Sequence, residues 1–248
     1  MRFKKWYECT KLFIGYNKAE IPKKLSQRGG TAIIVKNKLV SRIRLSNDSG
    51  SDPWGRWTWT TLYGKDCIKV KILTGYGPHA QGGPASYVAQ LRTQMLKKED
   101  LRHPRIAFWE DLKTLLLQWK EEGNQIIAAG DWNKCSKTDN LREFFDLVNM
   151  VESYRILHGT PPDTVLNKSS RTIDTFWTSR LLQIQQSGYL DYGDGVCKLH
   201  RIQWIDVTFI SAFGQTIPNV ISPTFNCRFT SQPTHFLWKK ILFFWILA

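Results

Sequence analysis

The chain of 248 residues is 42% hydrophobic and 23% charged, a balance that supports a buried core and excludes a disordered or fibrous protein. Thirty-five Lys and Arg against 21 Asp and Glu leave a formal charge of +14, which gathers polyanions and favours nucleic acid over neutral or cationic partners. Cys9, Cys67, Cys135, Cys197 and Cys227 are widely spaced and form neither a Cys-x-x-Cys pair nor a Cys/His zinc pattern, and no signal peptide follows Lys4-Lys5, so an intracellular, reducing setting is expected, nuclear or cytoplasmic.

Residues 1–28 read as a basic, weakly periodic N-terminal segment. Thr31-Ala32-Ile33-Ile34-Val35, led by Gly29-Gly30, predicts a buried strand, and the polar stretch from Ser46 to Pro53 a loop. Two strands are predicted from Arg56 to Tyr63 and from Cys67 to Thr74, joined through Gly64-Lys65-Asp66. Trp57 and Trp59 alternate with threonines, so they share one strand face and are assigned to the core rather than to base stacking. Helices are predicted from Ser86 to Lys98 and from about Arg105 to Glu121, where Ile106, Trp109, Leu112, Leu116 and Trp119 recur at helical spacing and Gly123 stops the run.

A buried strand from Asn124 to Gly130 then delivers Asp131, Trp132 and Asn133 at its carboxyl end. A short helix from Asn140 to Val148 and an irregular stretch from Gly159 to Ser170 precede strands near Thr172–Thr178, Gln183–Leu190 and Arg201–Phe209. This order predicts an α/β protein of two packed mixed sheets flanked by helices, with one domain over residues 29–214. Residues 215–248 form an irregular tail closing on the apolar run after Lys240. Its eight residues are too few to span a bilayer, which leaves a docking segment, an interfacial anchor beside Lys239 and Lys240, or a non-native end.

Chemistry concentrates at three places. Asp131 and Asn133, two residues apart after an apolar strand, suit a phosphate or a metal, although an Asx turn would use the same residues. Asp174 lies inside a run that reads as a strand, where an unpaired carboxylate is costly and a partner is expected. His200, at a strand start, is the candidate partner, oriented by Asp174 for proton transfer.

In order along the chain, Gly29-Gly30-Thr31-Ala32-Ile33-Ile34-Val35, Gly75-Tyr76-Gly77-Pro78, Gly130-Asp131-Trp132-Asn133, Arg171-Thr172-Ile173-Asp174 and Lys198-Leu199-His200-Arg201 resemble successive motifs of the endonuclease/exonuclease/phosphatase superfamily. That superfamily includes DNase I, abasic-site endonucleases and the endonuclease domains of non-LTR retroelements. The resemblance covers residues 29–210 and implies a DNase I-like four-layer α/β sandwich, shortened at its N terminus. It further implies a metal-dependent phosphodiesterase that cleaves DNA by activated-water attack with Mg²⁺ or Mn²⁺. By this resemblance Asp131 and Asn133 hold the scissile phosphate and the attacking water, Tyr76 hydrogen-bonds the phosphate, and His200 with Asp174 completes the proton-handling machinery.

Two positions depart from the motif pattern. The strands that normally carry an Asn and a metal-binding Glu lie upstream of the glycine-led strand, where this chain offers only Glu8 and Glu20, neither behind an apolar strand. Leu199 stands where the superfamily has the Asp of Ser-Asp-His, and leucine cannot coordinate a hard cation. Asp131 stays as the candidate ligand. Two alternatives follow: a catalytically inactive nucleic-acid-binding module or degenerate mobile-element fragment, and a phosphatase for phospholipids or inositol phosphates.

Overall fold

The computed structural model describes residues 10–16, 29–44, 48–79, 83, 86–166, 171–193 and 199–215. In chain order the strands are β1 (Thr10–Gly15), β2 (Thr31–Lys36), β3 (Ser49–Ser51), β4 (Trp57–Tyr63), β5 (Lys69–Tyr76), β6 (Gln125–Asp131), β7 (Met150–Glu152), β8 (Asp174–Ser179), β9 (Ile184–Tyr189) and β10 (Gln203–Val207). The α-helices are α1 (Tyr87–Lys97), α2 (Pro104–Glu121), α3 (Asp139–Leu147), α4 (Ser153–His158) and α5 (Phe209–Phe213). Ser86 caps α1 through the Ala89 N–H, and Pro104 occupies the first turn of α2, where its missing N–H costs nothing.

Six strands form a mixed central sheet in the order β3-β4-β5-β6-β8-β7, with β5 and β6 parallel and every other pair antiparallel. The parallel pair needs a crossover, which α1 and α2 provide. Alternation along the strands divides the side chains between two main cores, and Tyr76 joins a third, smaller cluster with Tyr87, Leu91, Met95 and Ala107. Val70, Ile72, Ile127, Ala129 and Phe176 face one core, where Ile33 and Val35 of β2 and Ile205 of β10 meet them. Leu73, Ile126, Ala128 and Trp177 face the other, against α2 and α3. The two-stranded sheets β1-β2 and β9-β10 therefore lie across one face of the central sheet and helices across the other, the layering expected from the sequence.

Trp57 and Trp59 enter the helix-side core as expected. Trp57 meets Phe108 edge-on at 5.5 Å and Trp59 lies 5.9 Å from Trp119. Strands β1, β3 and β7 and helices α4 and α5 are absent from the sequence expectation, and for β1 and β3 the local reason is visible. The weakly periodic N-terminal segment contains β1, paired with β2 from Thr10↔Lys36 to Gly15↔Thr31. Its alternation is hidden because Phe13 packs inward while Leu12 and Ile14 stay exposed, so both faces are apolar. The stretch read as a loop from Ser46 to Pro53 holds β3, made of small residues because it passes beneath Trp59: a Cβ on Gly50 would sit 2.5 Å from that ring.

Glu8, Glu20 and the tail from Phe236 to Ala248 lie outside the described residues. Among those described, no helix is long and apolar enough to cross a membrane.

Candidate active site

Strands β5, β6 and β8 end at one level. The register sets Tyr76 beside Asp131 and Asp131 beside Asp174, so the three form a row across adjacent strands. By alternation Asp131 and Asp174 share the strand face of Ile127, Ala129 and Phe176, toward the two small sheets, whereas the Tyr76 ring packs with Tyr87, Leu91 and Met95 of α1 and Ala107 of α2. Polar groups thus cap that core where the sheets open.

Backbone hydrogen bonds join the three loops beyond the strand ends. Gly77 N–H donates to the Asp131 carbonyl (2.7 Å), Trp132 N–H to the Ile173 carbonyl (2.9 Å) and Ser136 N–H to the Thr172 carbonyl (2.8 Å). A Cβ on Gly77 would lie 2.3 Å from the Trp132 carbonyl oxygen, so only glycine allows this approach. Asn133 takes a left-handed conformation (φ 49°), tolerated by asparagine, and its N–H donates to Asp131 Oδ1 at 3.0 Å. That is the Asx turn weighed from the sequence, and it leaves Asp131 in the site. The Asn133 side-chain amide donates to the Gly77 carbonyl (2.7 Å), so that group ties the loops together.

Asp174 Oδ2 lies 2.9 Å from His200 Nδ1, the pairing that the sequence left as an inference. His200 is fixed by a bridge to Val165 and by hydrogen bonds on either side, from Arg201 N–H to the Thr164 carbonyl and from Leu166 N–H to the Leu199 carbonyl (both 2.8 Å). Thr164 Oγ1 also accepts from Asp174 N–H, and Tyr189 donates its hydroxyl to the Asp174 carbonyl.

Asp131 is only 4% exposed. Burial first and the Asp174 charge second push its carboxyl up to about 7, against the Asn133 N–H, His200 and Arg171. Single ligand atoms of Asp131, Asp174 and His200 lie within 4.8 Å of one another. The two carboxylates at that spacing suit a hard divalent cation, whose charge would relieve the repulsion that raises Asp131, with the His200 imidazole beside it. Leu199 adds no ligand: its side chain is 59% exposed and apolar.

Tyr76 lies in the row but its hydroxyl is 3.0 Å from His79 Nε2. Burial and then the charges of His200, Arg171 and Arg105 push His79 down. His79 and Arg171 were given no role from the sequence, although His79 follows one quoted motif and Arg171 opens another. A histidine three residues after a site tyrosine was the available signal for the first, and its adjacency to Thr172-Ile173-Asp174 for the second.

No protein-family model matches the chain, and no curated protein does. Solved structures do. The catalytic domain of Xenopus laevis APE2 aligns with a TM-score of 0.55 at 14% identity, covering 81% of this chain and 76% of that one. An endonuclease/exonuclease/phosphatase family protein from Leptotrichia buccalis aligns at 0.52 and 12% identity, covering 83% and 75%. Strand order, layering and these likenesses agree: the chain adopts the fold of the endonuclease/exonuclease/phosphatase superfamily.

Proposed function

We propose that the chain hydrolyses a phosphodiester of nucleic acid by activated-water attack at Asp131, Asp174 and His200. The observation that carries this reading is the 2.9 Å contact between Asp174 Oδ2 and His200 Nδ1 beside the buried Asp131. An ionised Asp174 accepts from Nδ1–H, which makes Nε2 the basic nitrogen of His200. From there it takes a proton from water as the oxygen forms its bond to phosphorus, and returns it to the oxygen that leaves as the P–O bond breaks. A cation of the Mg²⁺ or Mn²⁺ kind, held by Asp131 and Asp174, would neutralise charge developing on the phosphate oxygens. The formal charge of +14 supports a polyanionic substrate such as DNA.

Leu199 favours a second reading, binding of nucleic acid without cleavage, because the apolar side chain brings no third carboxylate to the site. Nicking of supercoiled plasmid by the purified chain separates the two. Cleavage with Mg²⁺ or Mn²⁺, abolished by EDTA and by Asp131→Ala, supports hydrolysis. Retained DNA binding by folded protein without nicking under any metal supports the second reading.

A further inference from the structure

Three cations lie on segments that adjoin this site and, among the described residues, stand in no ion pair. Arg105 lies on the first turn of α2, Lys134 follows Asn133 in the loop after β6, and Arg171 opens the segment leading into Asp174. Several other arginines are engaged: Arg56 (Asp52 and Asp111), Arg102 (Asp100 and Asp111) and Arg201 (Asp191) by carboxylates, Arg42 and Arg44 by aromatic rings, and Arg92 by backbone carbonyls. The ion pairs among the described residues include none of the three.

The fold links the segments that carry them. The Ser136–Thr172 hydrogen bond draws the loop bearing Lys134 against the segment bearing Arg171, and the Asn133–Gly77 bond draws both toward His79. Lys134 Nζ sits 5.1 Å over the ring of Trp109, one helical turn along α2 from Arg105. Like charges gathered in this way repel. Burial and then Arg105 push Lys134 down, with only Glu143 acting the other way, and both Arg171 and Arg105 push His79 down. An anion between these groups would remove the repulsion.

We propose that Arg105, Lys134 and Arg171 form a second phosphate subsite that holds the polynucleotide phosphate adjoining the one attacked. Its place beside Asp131, Asp174 and His200 rests on the hydrolytic reading, while its capacity to bind does not. A substrate with a single phosphate cannot fill both positions, so the subsite would select a polymer over a monoester.

The full chain and its Arg105→Ala and Lys134→Ala variants, each checked for an unchanged melting temperature, provide the test. Binding of a fluorescein-labelled oligonucleotide is measured in EDTA across a salt series. Each variant is expected to weaken binding roughly fivefold to tenfold and to reduce the slope of log affinity against log salt by about one. Lys134→Arg should restore binding. Where hydrolysis is present, the ratio of plasmid nicking to turnover of bis(p-nitrophenyl) phosphate should fall about tenfold in the alanine variants, by the general cost of losing a phosphate contact. Unchanged affinity and slope in both variants, absence of binding by the unaltered chain, or equal loss on both substrates would overturn the subsite. Hydrolysis of neither substrate by a chain that binds the oligonucleotide defeats the hydrolytic reading alone, and the binding arm still decides the subsite.

Discussion

Asp131 and His200 carry the sharpest test at the scale of single residues. If the site hydrolyses phosphodiesters, His200→Ala should lower the nicking rate by about 10²-fold or more, the range for loss of a proton-transfer group, and Asp131→Ala by about as much through loss of a cation-holding carboxylate, with far-UV circular dichroism unchanged. Leu199→Asp would set a carboxylate next to His200 and is expected to raise Mn²⁺ affinity by calorimetry; no gain would mean that the position does not face the site. Glu152 gives a prediction of another kind. It is 2% exposed, its nearest cation is Arg155 Nε at 3.5 Å, and burial pushes its carboxyl up to about 7. A carboxyl raised above its unfolded value contributes stability below that unfolded value and loses it as pH rises through the folded one. Stability should therefore fall between about pH 4.5 and 7 through this group. Glu152→Gln should flatten that slope and add about 1–3 kcal/mol at pH 8, at roughly 1.4 kcal/mol per pKa unit, read from urea midpoints. The sequence displayed Asp131, Asp174 and His200 because carboxylates and imidazoles stand out in apolar strands. It concealed the engagement of Tyr76 by His79 and of the Asn133 amide by Gly77, since both depend on loops meeting only after the sheet is formed.

Among the elements, the loop after β5 is the most constrained. Gly77→Ala would drive a methyl into the Trp132 carbonyl, 2.3 Å away, and push apart the loops that carry Asn133 and His79. The expected cost is about 1–3 kcal/mol of stability, by analogy with overpacking, together with a loss of turnover larger than the fall in melting temperature explains. The interior strands β4, β5, β6 and β8 of the central sheet, strands β2, β9 and β10, and helices α1 to α3 were legible because burial imposes a regular apolar pattern. The edge strands β1, β3 and β7 were not: each is short or double-faced, and its place is set by the neighbour that it pairs with rather than by its own composition.

On the scale of the molecule, the central sheet separates two cores, and the helix-side core is dominated by aromatic rings. Phe145 is fully buried, stacked on Trp177 at 4.3 Å and edge-on to Trp132 at 5.3 Å. Phe145→Ala should cost about 3–5 kcal/mol through lost transfer energy and a residual cavity, measured as a lower urea midpoint with the same slope. The layered α/β architecture itself was readable from the alternation of elements, whereas the split of the second layer into two small sheets depends on pairings between distant segments.

The row Tyr76, Asp131 and Asp174 also fixes when the site can exist during folding. Its members come from strands separated by the whole α1–α2 crossover and by the α3–β7–α4 segment, so no local piece of chain holds more than one of them. Local helices form in microseconds, but joining these strands requires closing long loops first, which makes assembly of the site a late and slow event. A refolding chain would regain most of its helical signal well before it regained anything that depends on Asp131 standing beside Asp174.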